Sequence, residues 1–144
     1  MNSLSDETII RDLYTASQAG VKIRLLIRGI CCLRPGVKGL SENIEVRSLL
    51  GRMLEHHRAY AFSSGEVYIA SSDWMERNLH KRVEVCCPIL SNKLRKRILF
   101  EMESVFWKDN QQSWRLLGDG TYQKVENSEA HFLAQQYLMD DLGE

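Results

Sequence analysis

Two stretches of this chain each end an apolar segment with a side chain suited to holding phosphate. In Leu26-Ile27-Arg28-Gly29-Ile30-Cys31-Cys32-Leu33-Arg34-Pro35-Gly36 it is Arg28, and in Leu54-Glu55-His56-His57-Arg58-Ala59-Tyr60 it is His56, with Arg58 two positions on. A guanidinium offers a planar fork of donors that matches phosphate oxygens bidentately. An imidazole titrating near neutral pH can hold, give or accept a proton beside them. Neither residue type is informative alone; together they point to phosphoryl chemistry.

Local charge agrees. Between residues 21 and 58 there are eight basic side chains against three acidic ones, whereas residues 126–144 carry five acids and no Lys or Arg. Such a surplus can be only a solvated face, but beside the two motifs it reads as an anion site. The formal net charge of zero over the whole chain argues against nucleic acid as a partner, since counterion release at a polyanion needs a cationic excess.

Several elements must position these residues. Ser5, Asp6 and Glu7 read as a helix start, with Ile9, Ile10, Leu13 and Tyr14 on one face and Gly20 at the stop. Residues 21–27 alternate and then become continuously apolar, the pattern of a strand entering a buried sheet. Arg28 then falls at the strand's carboxyl end, where open α/β sheets place ligands. Segment 29–43, with Gly29, Pro35, Gly36 and Gly39, reads as a long loop containing a tight turn. Val46, Leu49, Leu50, Met53 and Leu54 recur at helical spacing and predict a helix that delivers Glu55 and His56, with a short strand over 44–46 as its competitor.

Residues 59–62 and 67–71 predict a hairpin around Ser63-Ser64-Gly65-Glu66, and 83–87 a further strand closed by Pro88. Ser91 or Asn92 caps a sheet-covering helix lined by Leu94, Ile98, Leu99, Met102, Val105 and Phe106. A second hairpin flanks Gly118-Asp119-Gly120, and 128–142 reads as helical. The expected fold class is α/β, a mixed sheet flanked by helices, in a single domain over 1–144, its core about 1–110 and a hairpin and C-terminal helix about 111–144.

At 144 residues, 44% hydrophobic and 26% charged, the chain has the composition of an ordinary globular domain. No apolar run approaches the roughly 20 residues that span a bilayer, and Met1-Asn2-Ser3-Leu4-Ser5-Asp6 lacks the pattern of a signal peptide, so a cytoplasmic placement is expected. The cysteines form two adjacent pairs, Cys31-Cys32 and Cys86-Cys87, a spacing that argues against a zinc site and for free, largely buried thiols. Trp74, Trp107 and Trp114 read as core aromatics.

With His56-His57-Arg58, the first hairpin and Val67-Tyr68-Ile69-Ala70-Ser71-Ser72-Asp73-Trp74 set in order, the chain resembles the phospholipase D superfamily. Its usual His-x-Lys appears here as His56-x-Arg58, and its Gly-Ser-x-Asn box as Ala70-Ser71-Ser72-Asp73. Adding Asn2-Ser3-Leu4-x-Asp6, Ala16-Ser17-Gln18-Ala19-Gly20-Val21, the Arg28 to Gly36 stretch, Leu40-Ser41-Glu42-Asn43-Ile44 and Asp73-Trp74-Met75-x-Arg77-Asn78, it resembles the C-terminal catalytic domain of bacterial polyphosphate kinase, from Asn2 to about Val125.

That resemblance implies a much longer enzyme, which moves the terminal phosphate of ATP reversibly onto polyphosphate through a phosphohistidine in a preceding domain. It implies ATP or ADP, polyphosphate and the preceding domains as partners, and magnesium with its ligands outside this chain. Homo-oligomerisation and peripheral association with the inner membrane face are implied for the full-length enzyme. Arg28 matches the family's nucleotide-phosphate arginine, and His56 matches its second active-site histidine, an ATP contact acting as acid or electrostatic partner rather than nucleophile. Arg58 shares the face of His56 and is expected to reach the same anion, while Ser71 and Asp73 are expected to orient the imidazole by hydrogen bonding. Alternation sends His57 to the opposite side, as a surface or packing residue.

Two rival readings stand. A phosphodiesterase or nuclease of the same superfamily would carry an Asp six residues beyond the histidine, where this chain has Phe62. The other rival is a non-catalytic module for anion binding or oligomerisation. The pure chain, read as an excised part of a longer enzyme, is expected to fold yet make no polyphosphate from ATP; sustained magnesium-dependent synthesis by it would contradict this reading.

Overall fold

The structure, a computed structural model, describes residues 1–126 and 129–143. In chain order the elements are α1 (Glu7–Gln18), β1 (Ile23–Leu26), β2 (Ile44–Leu49), β3 (Ala59–Ala61), β4 (Val67–Ala70), α2 (Glu76–His80), β5 (Cys86–Pro88), α3 (Asn92–Phe100), β6 (Ser113–Leu116), β7 (Tyr122–Lys124) and α4 (Ala134–Leu142). They form a mixed α/β fold with two sheets, a four-stranded one in the order β1-β2-β6-β7 and a three-stranded one in the order β3-β4-β5. The sequence implied a single mixed sheet. The second sheet is separate because the first hairpin pairs with β5 and not with β2.

Helix α1 starts at Asp6 rather than Ser5: the Asp6 carboxylate accepts from the Ile9 N–H at 3.0 Å, filling one of the donors a helix start leaves open. Gly20, at φ +89°, takes the left-handed conformation that ends it. The predicted helix over 46–54 is instead strand β2, paired parallel to β1 and antiparallel to β6. Helical spacing misled because Val46 and Leu49, three residues apart, lie on opposite faces of an interior strand and pack in different clusters, while Glu45 and Arg47 between them are only half-buried. Leu50, Met53 and Leu54, which would have completed a helical face, are exposed beyond the strand end.

The two core clusters lie on opposite sides of this sheet. Leu4, Leu25, Ile27, Leu33, Ile44, Val46 and Leu116 pack with the apolar face of α1, while Leu49, Val105, Phe106 and Ala134 pack with Phe132, Tyr137 and Leu138. Helix α3 is capped by Ser91 and runs on into a π-helical turn (Glu101–Val105) and a 3₁₀ turn (Phe106–Lys108), which bring Val105 and Phe106 under Leu49. The α3 helix itself buries no residue fully, so it covers the smaller sheet only partly. The helix expected over 128–142 begins at Ala134; position 128 lies outside the described residues. Helix α2 was not foreseen.

The extended N-terminal segment joins the parts that carry the site. Leu4 forms bridges to both Cys31 and Trp74, with its N–H donating to the Ile30 carbonyl at 2.8 Å and its carbonyl accepting from the Cys32 N–H at 2.9 Å. On its other side the Trp74 carbonyl accepts from the Ser5 N–H at 2.8 Å, and the Ser3 carbonyl accepts from the Trp74 N–H at 3.1 Å. Residues just after β1 and just after β4 are thereby held a strand's width either side of one segment. Leu4 is 0% exposed. Leu4→Ala is expected to cost about 2–5 kcal/mol, the range for truncating a fully buried leucine, read as a fall in the urea midpoint without change in slope.

Candidate functional site

Arg28 follows directly on the buried Ile27, past the carboxyl end of β1, where its backbone is pinned on both sides. Its N–H donates to the Met1 carbonyl at 3.2 Å, and its carbonyl accepts from Ser48 Oγ at 2.9 Å. The half-buried guanidinium donates from Nε to Asn2 Oδ1 at 2.7 Å, and Nη2 reaches the same oxygen. That partner is a neutral amide. Among the described residues Arg28 forms no ion pair, so its charge is oriented but not neutralised.

Asn2 turns its other end to a second centre. Its backbone N–H donates to Asp73 Oδ1 at 2.7 Å, joined by the Ser3 N–H at 3.2 Å. Arg58 completes the shell with two parallel bonds, Nε to Asp73 Oδ1 at 3.1 Å and Nη2 to Oδ2 at 2.8 Å. The two side chains are 11% and 6% exposed. Burial pushes the Asp73 carboxyl up, but Arg58 and the Asn2 and Ser3 N–H groups outweigh it and hold the group below the ordinary carboxylate range. The same bond to Asp73 raises Arg58 above its already high value.

Arg58 then reaches His56. Its Nη1 donates to the His56 carbonyl at 3.0 Å and lies 3.1 Å from His56 Nδ1, while Nη2 lies 3.4 Å from Nε2. The guanidinium plate thus lies along an otherwise exposed imidazole, and a continuous chain of contacts runs Arg28, Asn2, Asp73, Arg58, His56. That run links the two residues singled out first through three intermediaries.

It corrects the supporting roles. Arg58 is not free to grip an anion, because Asp73 occupies its fork. Asp73 does not touch the imidazole and acts on it only through Arg58. Ser71 Oγ donates to Glu84 and accepts from the Val85 N–H at 3.0 Å, facing the approach to β5 and not His56. Sequence spacing placed Ser71 and Asp73 near the histidine, but it could not tell which neighbour each would meet.

His57 points elsewhere, although it lies in the loop before β3 and not in a strand: its Nδ1 lies 3.3 Å from Glu55 Oε2 and its ring sits 4.8 Å from that of Phe106. Burial would raise Glu55, yet hydrogen bonds from His57 and Gln135 leave it below its usual range. Asn2 is the residue sequence reasoning left without a role. Its sequence signal is its place at the head of the Asn2-Ser3-Leu4-x-Asp6 stretch that carries the family resemblance.

All four thiols are free, but Cys32, Cys86 and Cys87 are exposed and Cys31 half-buried, not buried as expected. The cause is that β5 lies at a sheet edge and Cys32 in the loop after β1. The donor set here does not suit a magnesium ion: both Asp73 oxygens are already taken, and among the described residues no three His, Cys, Asp or Glu side chains gather. Tyr60 stacks on Trp74 at 4.9 Å, and Trp74 packs on the first core cluster, as a core aromatic would.

Fold and site together define a phospholipase D-like α/β domain that presents an unneutralised arginine and an exposed histidine from one hydrogen-bonded frame. Comparison with known proteins narrows this. The family model described as polyphosphate kinase C-terminal domain 2 matches residues 1–136. Polyphosphate kinase of Burkholderia vietnamiensis is 51% identical over 144 residues, covering 94% of this chain and 21% of the relative. That of Xylella fastidiosa is 49% identical over 147 residues, covering 99% and 21%. The crystal structure of polyphosphate kinase from Porphyromonas gingivalis superposes with a TM-score of 0.94 at 41% identity, over 99% of this chain and 22% of that one. The chain belongs to the polyphosphate kinase family and corresponds to its C-terminal domain. It spans about a fifth of the length of these relatives.

The Asp73–Arg58 pair makes a testable demand. Asp73→Asn keeps the shape but leaves the Arg58 charge without its counterion, at a cost of about 3 kcal/mol at pH 7. Because the folded-state value of Asp73 is depressed, its stabilisation is present above the unfolded value of about 3.9 and is lost as pH falls below it. Denaturation midpoints measured from pH 7 down to pH 3 should therefore drop less steeply in Asp73→Asn than in the unsubstituted chain.

Proposed function

We propose that this domain supplies the phosphate-holding half of a site for reversible transfer of the terminal phosphate of ATP onto polyphosphate. In this reading Arg28 binds nucleotide phosphate and His56 stabilises or protonates the leaving oxygen, opposite a nucleophilic histidine in a preceding domain of the full-length enzyme. The observation that carries it is the hydrogen-bonded run from Arg28 through Asn2, Asp73 and Arg58 to His56.

The geometry suits the chemistry. Phosphoryl transfer spreads negative charge over the equatorial oxygens, so fixed cations and donors aimed at them supply most of the acceleration. Arg28 has charge to give because Asn2 orients it without cancelling it. Arg58 keeps the imidazole in place and so spares His56 a reorganisation during transfer. Magnesium, with its ligands outside this chain, would supply neutralisation of phosphate charge, and Asp73 takes no part in holding it.

The test belongs in the full-length enzyme that contains this domain. His56→Ala should lower turnover by about two to four orders of magnitude with little change in thermal stability, because an exposed ring contributes little packing. His57→Ala, which loosens contacts to Glu55 and Phe106, should reduce turnover far less. Arg28→Lys should also be damaging despite keeping its charge, since an ammonium cannot reproduce the fork. A more harmful His57→Ala at equal stability would shift the motif by one residue and overturn these assignments.

A further inference from the structure

We infer that Gln135 is a positioning residue for His56, latching the loop that carries the imidazole to the first turn of α4. The inference rests on the reading of His56 as the phosphate-facing histidine, and its geometry stands independently of that reading.

Residues 50–58 join β2 to β3 without forming either helix or strand. Such a segment holds one shape only if something satisfies its backbone. Gln135 does so, at 5% exposure. Its Oε1 accepts from the Met53 N–H at 3.0 Å, and its Nε2 donates to the Met53 carbonyl at 2.8 Å and to Glu55 Oε1 at 2.7 Å. One primary amide thus brackets Met53 as a neighbouring strand would and also takes the carboxylate next to His56. Glu55 in turn holds His57 by its other oxygen, so the residues on both sides of His56 are fixed from α4.

Two further features serve this contact. Gly51 is the only residue type that leaves it room: a Cβ there would lie 2.3 Å from Gln135 Oε1 and 2.3 Å from Gln112 Oε1. The anchor itself is held by Asp109, 0% exposed, whose Oδ2 accepts from the Ala134 N–H at 2.9 Å. Its Oδ1 accepts from the Gln111 and Gln112 N–H groups at 3.0 and 2.6 Å. The Gln112 carbonyl then accepts from the Leu50 N–H at 3.0 Å, where the loop leaves the sheet. The chemistry also explains why the residue is glutamine. The site demands one acceptor and two donors from a single planar group, which an amide has and a carboxylate lacks.

The discriminating substitution is Gln135→Glu, which keeps size and acceptor but sets lone pairs against the Met53 carbonyl and the Glu55 carboxylate. The readout is the imidazole ¹H–¹³C correlation spectrum of the 144-residue chain. It requires no ligand, and the four histidines can be assigned by substitution. The His56 and His57 signals should shift and broaden in Gln135→Glu while His80, on α2, stays in place. Gly51→Ala, which displaces the same amide from the opposite side, should give the same signature and serves if Gln135→Glu fails to fold. Leu138→Ala weakens the packing of α4 on the second core cluster while leaving the Gln135 hydrogen bonds intact, and should leave His56 unmoved at a comparable loss of denaturation midpoint. An unmoved His56 in folded Gln135→Glu or Gly51→Ala would overturn the inference, as would an equal change in Leu138→Ala, which would mean that Gln135 only stabilises the helix. Failure of the phosphate reading would appear separately, as unimpaired turnover in His56→Ala.

Discussion

The site depends on the bidentate pair between Arg58 and Asp73. Two charges withdrawn from water at this depth cost several kcal/mol each unless every lone pair finds a donor. Asp73 finds four: two from Arg58 and one each from the Asn2 and Ser3 backbones. Those last two bonds make the N-terminal segment part of the pair. Its direction then places the Asn2 side chain against Arg28, while the free edge of Arg58 faces His56. Removing the carboxylate would therefore release both ends of the site at once.

Around that pair the fold works as two supports meeting at a seam. The four-stranded sheet carries Arg28 off the end of β1, and its interior strand β2 sends Val46 and Leu49 into the cores on its two faces. The smaller sheet carries Arg58 into β3 and Asp73 out of β4. Leu4, bridged to both Cys31 and Trp74, closes the seam with backbone bonds that leave little freedom for one support to slide on the other. The loop bearing His56 crosses the seam, and Gln135 of α4 fixes it from the far side.

Much of this was legible in the residues. The acidic start of α1, the apolar run ending at Arg28, and both glycine-bearing hairpins are local patterns, and local patterns survive folding. The strand β2 was misread because Leu49 is buried on the face opposite Val46 and the exposed Leu50, Met53 and Leu54 follow the strand end, so together they mimic a helical stripe that outweighs the alternation of residues 44–47. Arg28 and His56 stood out because their chemistry is uncommon at element ends. Asp73 stood out too, but with the wrong partner, since it meets Arg58 and not the imidazole; Asn2 and Gln135, 26 and 80 residues from the side chains they meet, were given no role because nothing in spacing announces such a pairing.

The most direct measurement is a crystal structure of the chain in complex with tripolyphosphate. Phosphate oxygens are expected within hydrogen-bonding distance of both the Arg28 guanidinium and the His56 imidazole, with Arg58 still on Asp73. Tripolyphosphate seated away from both residues, or held by an Arg58 that has left Asp73, would contradict this arrangement.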